Sequence, residues 1–420
     1  MMKNISCDVL VVGAGPVGSF TARRIAEKGY NVVLAEEHEK IGEPAHCTGL
    51  VTQRVLEIAE IGNSCKEIIQ SEIRGANIRA PDGTLLPVRG KKVEAYSIDR
   101  ILFDRILCDS AVDSGAALKT GTRVSEVIRK NGSATAAAKS SREVFEISAK
   151  LVIGADGAFS VVRRSAGLEE PKELLYGFQA EFENVHMDES NVEILVGSGI
   201  APGFFAWIVP AGEGRARIGL CTTSQQTSAG AIRCMAGDSG HSAGDYFERM
   251  LTLPGIAKAT KGARIVRKIA GVVPLGAPQK TYADNLMIAG DAAAQVKPTS
   301  GGGIYTGLVC AEQCAAAALA ALERADFSER FLSQYQKRWQ EKIGRELRLG
   351  MLFRKALRKM PDRTINKILH KLNNPEILEI ISKCGDIDYP SKVAFEIFKR
   401  RPGLAALAPG IMISAAGNYL

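Results

Sequence analysis

The chain has 420 residues, of which 46% are hydrophobic and 24% charged, and a net charge of +8 at neutral pH. That length exceeds one compact core and points to two or three globular domains. The nine cysteines are odd in number and include no CxxC pair, so neither a disulfide framework nor a zinc or iron–sulfur site is expected, and a reducing cytoplasm fits. No apolar run is read as long enough to span a bilayer. The first strand follows so closely on the start that no signal peptide is expected. Residues 330–401 carry 18 Lys and Arg against 8 Asp and Glu. This local basic surplus suits an anionic lipid surface or an acidic protein; no nucleic-acid module is visible, and no nucleic-acid partner is expected.

Taken in order, Asp8–Val12 reads as a buried parallel strand, Ser19–Lys28 as a helix and Asn31–Leu34 as a second strand. Between the first two lies Gly13-Ala14-Gly15-Pro16-Val17-Gly18. Gly13 suits a tight turn, Gly15 a close approach to a diphosphate, and Gly18 the packing of helix on strand. Pro16 stiffens the loop, and the helix N-terminus offers free N–H groups to an anion. Glu36 follows at the end of the second strand, where a carboxylate can accept from both hydroxyls of an adenosine ribose. The stretch reads as a dinucleotide site and by itself does not choose FAD over NAD.

Residues 37–51 form a polar loop containing His46, Cys47, Thr48 and Leu50. Arg54–Ile61 looks helical, Ile73–Val88 reads as a hairpin about Pro81-Asp82-Gly83, and Ser97–Ala117 as an amphipathic helix capped by Ser97 or Asp99. Leu118–Arg129 and Glu143–Ile153 read as strands, and the small, polar residues 131–142 between them as an exposed hairpin tip. The second strand ends in Gly154-Ala-Asp156-Gly157. From Tyr176 to Thr223 the pattern alternates as an antiparallel sheet. Ala229–Pro254 reads as helical in parts, and Ala263–Val273 as another strand. Asn285–Gly290 is a third apolar strand. It leads through Asp291 and Lys297-Pro298-Thr-Ser-Gly301-Gly302-Gly303 into an Ala-rich helix, Ile304–Arg324, where Cys310 and Cys314 read as small buried residues. Residues 327–401 read as helical, and 402–420 form an uncharged tail.

Three separated motifs, GAGPVG at 13, GADGAFSVVRR at 154 and MIAGDAAAQVKPTSGGGIYTG at 287, together resemble the FAD-binding domain of para-hydroxybenzoate hydroxylase-like flavoproteins. The implied fold class is α/β (α+β overall). A Rossmann-type FAD-binding domain (residues 1–72, 95–170 and 285–325) accompanies an antiparallel-sheet substrate domain (73–94 and 171–284) and a C-terminal basic helical region (326–420). The resemblance implies FAD as cofactor, held by Gly13, Gly15, Pro16, Gly18, Glu36, Cys47, Thr48, Leu50, Arg100, Val124, Asp156, Asp291, Pro298, Gly301, Gly302, Gly303 and Ile304. Asp291 is placed to accept from a ribityl hydroxyl. The N-terminus of the helix after Gly303 lies where a reduced flavin concentrates negative charge.

Within that superfamily, Pro202-Gly203-Phe204-Phe205-Ala206-Trp207-Ile208-Val209-Pro210 resembles the PxxYxWxFP pattern of geranylgeranyl reductases. Phe205 stands in the tyrosine position and Val209 in the phenylalanine position, which excludes an acid–base tyrosine there. The loop Ala45–Leu50 resembles their Cys-x-Gly segment. The HCTGLV run, the YSIDR helix start and the length are similar to the archaeal digeranylgeranylglycerophospholipid reductases. The resemblance implies reduction of C=C bonds in geranylgeranyl chains of a membrane glycerophospholipid, with Cys47 and His46 as candidate proton donors. It also implies a lipid wall from Phe178, Phe204, Phe205, Trp207 and Pro210, and no metal. Exposing about twenty carbons to water costs on the order of 16 kcal/mol at roughly 0.8 per CH₂, so the substrate needs an apolar channel. Without a second GxGxxG turn, electrons are expected from an unanchored NAD(P)H or a small carrier such as a ferredoxin. The uncharged tail and the basic region predict a peripheral site on the cytoplasmic face of the membrane. A flavin monooxygenase of the same superfamily and a non-catalytic prenyl-binding protein are the alternative readings.

Overall fold

In a computed structural model, which describes residues 3–130, 132–141, 143–223 and 242–400, the apolar run after Asp8 is the middle of a strand, β1 (Lys3–Val12). Val9, Leu10 and Val11 are fully buried, because parallel neighbours flank β1 on both edges and other elements cover both faces. The chain turns at Gly13 into α1 (Pro16–Ala26), with proline in the first helical turn where its missing N–H costs nothing. It returns as β2 (Val32–Ala35), buried throughout. The hairpin of β3 (Gly75–Arg79) and β4 (Leu85–Arg89) follows. Next comes α2 (Arg100–Asp113), whose cap is Asp99, accepting from the amides of Ile101 and Leu102. Ser97 instead belongs to the short strand Ala95–Ile98.

After α2 come β5 (Ala117–Lys119), β6 (Arg123–Lys130), β7 (Ser133–Lys139) and β8 (Val144–Gly154). The expected exposed tip at 131–142 is therefore corrected. Residues 133–139 form a strand paired on both edges, with Ala134, Ala136 and Ala138 buried at period two. Alanine carries little hydrophobic signal, so a buried face made of it reads like a loop. A turn at Gly157 leads into α3 (Val161–Ser165), then β9 (Glu173–Glu183), β10 (Asn191–Val196), β11 (Phe205–Pro210) and β12 (Ala216–Thr223). The helix α4 (Ala243–Leu251), β13 (Arg264–Leu275), β14 (Leu286–Ile288) and α5 (Ile304–Arg324) complete the first two layers. Residues 229–241 of the helical stretch expected before Pro254 lie outside the described residues.

The first sheet runs β14-β8-β1-β2-β5 in parallel, with Tyr282–Ala283 beyond β14 and the antiparallel β7 and β6 added to β8. The second runs β13-β9-β12-β11-β10-β3-β4, antiparallel except where β10 joins β3. One face of this second sheet packs against Tyr246, Phe247 and Met250 of α4. Its other face turns toward the loop that follows β2.

Helix α5 is long and apolar enough to cross a membrane by length and composition alone, which corrects the expectation that no such run exists. Two-thirds of its most apolar stretch is buried (67%), and it packs against α1 with Cys310 and Cys314 fully buried. Among the described residues, five α-helices follow: Glu329–Trp339, Arg345–Arg358, Asp362–Leu372, Pro375–Cys384 and Pro390–Arg400, the first two joined by a π-helical turn at Gln340–Gly344. The uncharged tail at 402–420 lies outside the described residues.

Candidate active site

The glycine loop is built by contact as well as by turn. Gly13 has φ +98°, and a Cβ there would stand 2.4 Å from the Ala155 carbonyl oxygen; one on Gly18 would stand 1.8 Å from the Gly13 oxygen. A Cβ on Gly15 would meet nothing within 4 Å, so the space before α1 is open, and no side chain caps that helix. The Glu36 carboxylate accepts from the Ala14 amide at 2.8 Å and the His38 amide at 3.0 Å, and contacts His38 Nδ1 at 2.7 Å. His38 thus braces Glu36, a role that sequence reasoning missed. Val124 is buried in β6 beside a bulge opposite Ala138.

Asp156 follows the end of β8. Its carboxylate caps α3, accepting from Ser160 Oγ at 2.5 Å and the amides of Val161 and Val162 at 2.7 and 3.1 Å. Burial pushes it above the usual carboxylate range despite those bonds. Its side chain orders the turn that touches Gly13.

At the other end, α5 begins at Ile304 with Gly303 as its uncapped N-terminus. Gly301 has φ +69°. A Cβ on Gly303 would lie 3.0 Å from Asp291 Oδ1, and one on Gly302 would lie 3.5 Å from Lys297 Nζ. Burial raises the Asp291 carboxyl to about 6, with the Arg100 charge acting against the rise. Among the described residues no hydrogen bond or ion pair is made by that side chain. Pro298 is buried, its ring close against Gly350. Lys297, missed from the sequence, reaches Asp388 Oδ1 at 2.8 Å and the Ile387 oxygen at 3.1 Å. Asp388 Oδ2 accepts from Thr52 Oγ1 at 2.6 Å.

The loop of His46 and Cys47 crosses the second sheet. His46 Nδ1 meets the Ala270 oxygen at 2.9 Å, and burial lowers its affinity for a second proton. Cys47 Sγ accepts from the Gly49 amide at 3.3 Å, and Arg100, near enough to feel the charge of a Cys47 thiolate, is bidentate to Asp104. Gln179 holds the loop from below: Nε2 donates to the Cys47 oxygen and Oε1 accepts from Trp207 Nε1. Arg217, buried on β12, donates to the Thr48 and Ile98 oxygens at 2.7 and 3.0 Å. Leu50 opens a short strand paired with Ser97.

Strand register arranges this face in rows. Arg217, Glu181 and Arg267 pair across β12, β9 and β13; Gly219, Gln179 and Ile269 form the next row, and Cys221, Gly177 and Gly271 the one after. Phe204 stacks on Phe205 at 4.2 Å, and Phe205 meets Trp207 edge-on at 6.1 Å. Phe204 packs with Leu175, Val273 and Val296 and stands 3.4 Å from a Cβ on Gly301, with the Arg354 guanidinium 5.2 Å from its ring centre. An apolar wall therefore adjoins the Gly301 turn. Two expected members do not belong to it. Phe178 precedes Gln179, so period-two alternation turns it to the other face, against Phe247 at 4.9 Å. Pro210 ends β11 on the face of Ala206 and Ile208 for the same reason.

Open space before α1, uncapped N-termini on α1 and α5, and an unpartnered Asp291 carboxyl fit FAD. These features define a flavoprotein, and residues 6–345 match the FAD binding domain family. The chain is 32% identical over 410 residues to digeranylgeranylglycerophospholipid reductase 2 of Methanopyrus kandleri, covering 96% of this chain and 99% of that one. It is 32% identical to the digeranylgeranylglycerophospholipid reductase of Methanosarcina acetivorans over 382 residues, covering 88% and 89%. A solved geranylgeranyl bacteriochlorophyll reductase-like protein of Thermoplasma acidophilum superposes with TM-score 0.83 at 26% identity, over 97% of this chain and 100% of that one. The chain belongs to the digeranylgeranylglycerophospholipid reductase family.

Proposed function

We propose that the protein saturates C=C bonds in the geranylgeranyl chains of archaeal membrane ether lipids. The observation that carries this reading is the stacked Phe204–Phe205–Trp207 wall beside the Gly301 turn: it offers hydrocarbon at the place where the FAD-binding residues converge. Reduced FAD supplies the hydride equivalent for an alkene. The chain's own part is to bind the hydrocarbon, exclude water and hold a proton for the second carbon. Cys47 suits that last task. Its sulfur accepts from the Gly49 amide, on a loop held by Gln179 and Arg217. His46 is better suited to positioning, since one ring nitrogen is bound to the Ala270 oxygen and burial disfavours the cation.

The electron donor is proposed to be a small acidic carrier or free NAD(P)H. The basic C-terminal helices are proposed to rest on anionic lipid at the cytoplasmic face; flotation with anionic liposomes that is lost at high salt supports this, and no binding at low salt opposes it. Anaerobic incubation of dithionite-reduced protein with the lipid tests the reaction. Mass spectrometry should show about 2 Da gained per double bond. Oxygen consumed in step with substrate, with no saturation, would identify a monooxygenase.

A further inference from the structure

The face under the Cys47 loop changes character along the strands, and the charged end opens into a cavity of about 360 Å³ lined by Cys47, Arg100, Glu181, Arg215, Arg217 and Arg267 among others. We infer that this cavity is an anion subsite for the phosphate of a prenylated glycerol phosphate, whose hydrocarbon lies toward the apolar rows; the inference rests on the reductase reading above.

Four guanidinium groups line the cavity against two carboxylates, Asp99 and Glu181. Asp99 is committed to the amides that begin α2, and Arg100 to Asp104. Glu181 accepts from Arg267 Nη2 at 2.8 Å and stands 3.9 Å from Arg217 Nε. The Arg267 side chain makes that one hydrogen bond among the described residues, and the Arg215 side chain makes one, to the exposed Glu213 at 3.3 Å. Each keeps further N–H donors, in the planar fork that suits phosphate oxygens. Arg217 is held mostly by neutral oxygens, and burial penalises its charge more than Glu181 relieves it. An added anion would compensate that buried charge.

The rim supports a lipid source. Val266 lines the cavity, and Ile265 and Val266 are 38% and 47% exposed on β13, the edge strand of its sheet. The flanking Arg264 and Lys268 are paired with Glu183 and Glu248, so the apolar pair is the rim's unpaired feature. A phospholipid head could enter past it, with hydrocarbon following toward Trp207.

The test uses the full FAD-loaded chain and two soluble probes, geranylgeranyl phosphate and geranylgeraniol, with binding measured by calorimetry. The wild type should prefer the phosphate by tenfold or more. Arg267→Gln and Arg215→Gln should each lower that preference at least threefold, with FAD content and circular dichroism confirming the fold. Equal affinity of the wild type for both probes overturns the inference, as does a proportional loss for both in the two variants. A variant that weakens NADPH relative to NADH while keeping the prenyl preference assigns the anion to the electron donor, which also overturns it. An intact phosphate preference in protein that reduces no alkene supports the subsite and removes the reaction alone.

Discussion

Asp388→Ala should destabilise the protein by about 3–5 kcal/mol, because it leaves a buried ammonium without its counter-charge. Lys297 and Asp388 side chains are only 7% and 1% exposed at a separation of 2.8 Å, and the substitution also strands Thr52 Oγ1. An independent bound agrees. Shedding the proton of an unpaired lysine at pH 7 costs about 4.6 kcal/mol, from its ordinary titration range and about 1.36 kcal/mol per pH unit, which caps the part of the loss owed to the stranded charge; the lost bonds of Thr52 and Arg54 to Asp388 add to it. That bound shrinks to about 1.9 kcal/mol at pH 9, so the loss should be larger at pH 7 than at pH 9. Lys297 lies beneath Gly302, so retained FAD should fall as well. Urea unfolding at the two pH values, with flavin content, reads all three effects. The double variant Lys297→Met with Asp388→Leu should recover most of the stability, since an apolar pair replaces a buried ionic one at little net cost. A loss under 1 kcal/mol at pH 7, or one that grows with pH, would refute the reasoning.

Gly18→Ala should abolish FAD retention, because its Cβ would stand 1.8 Å from the Gly13 oxygen; a stoichiometric flavin content in the purified variant contradicts this. Asp291 is raised to about 6 by burial. Its neutral form is favoured in the folded FAD-free chain, and its contribution to stability is present at low pH and lost as pH rises from about 4 through 6. Asp291→Asn should flatten that dependence in melting temperatures of FAD-free protein between pH 4.5 and 7. Cys47→Ala should keep FAD and lose alkene reduction by about 10²–10⁴-fold if the thiol is the general acid; full activity removes it from that role.

Glycine chemistry made the FAD cradle legible in sequence. The positive φ of Gly13 and Gly301 and the contact of Gly18 with the Gly13 oxygen are requirements of the backbone within a few residues, so their spacing carries the turn wherever it lies in the fold; the approach of Ala155 to Gly13 is the part that spacing does not show. The apolar runs of β1, β2 and β14 were readable because burial on both faces leaves unbroken Val, Leu and Ile. The cap of α2 narrowed to two candidates, and the pairing of Ser97 into a strand chose Asp99.

Which side chains share a face was settled by tertiary structure. Phe178 and Gln179 are adjacent in the chain, yet one packs on Phe247 and the other grips the Cys47 loop. A pleated strand sends neighbours to opposite sides, and register with β12 and β13 decides which side meets the cofactor domain. Arg217 reaches Thr48 across 169 positions, and Lys297 reaches Asp388 across 91. Such contacts leave no periodic trace, because a buried charge is stabilised by whatever the fold brings beside it, and sequence distance has no part in that energy.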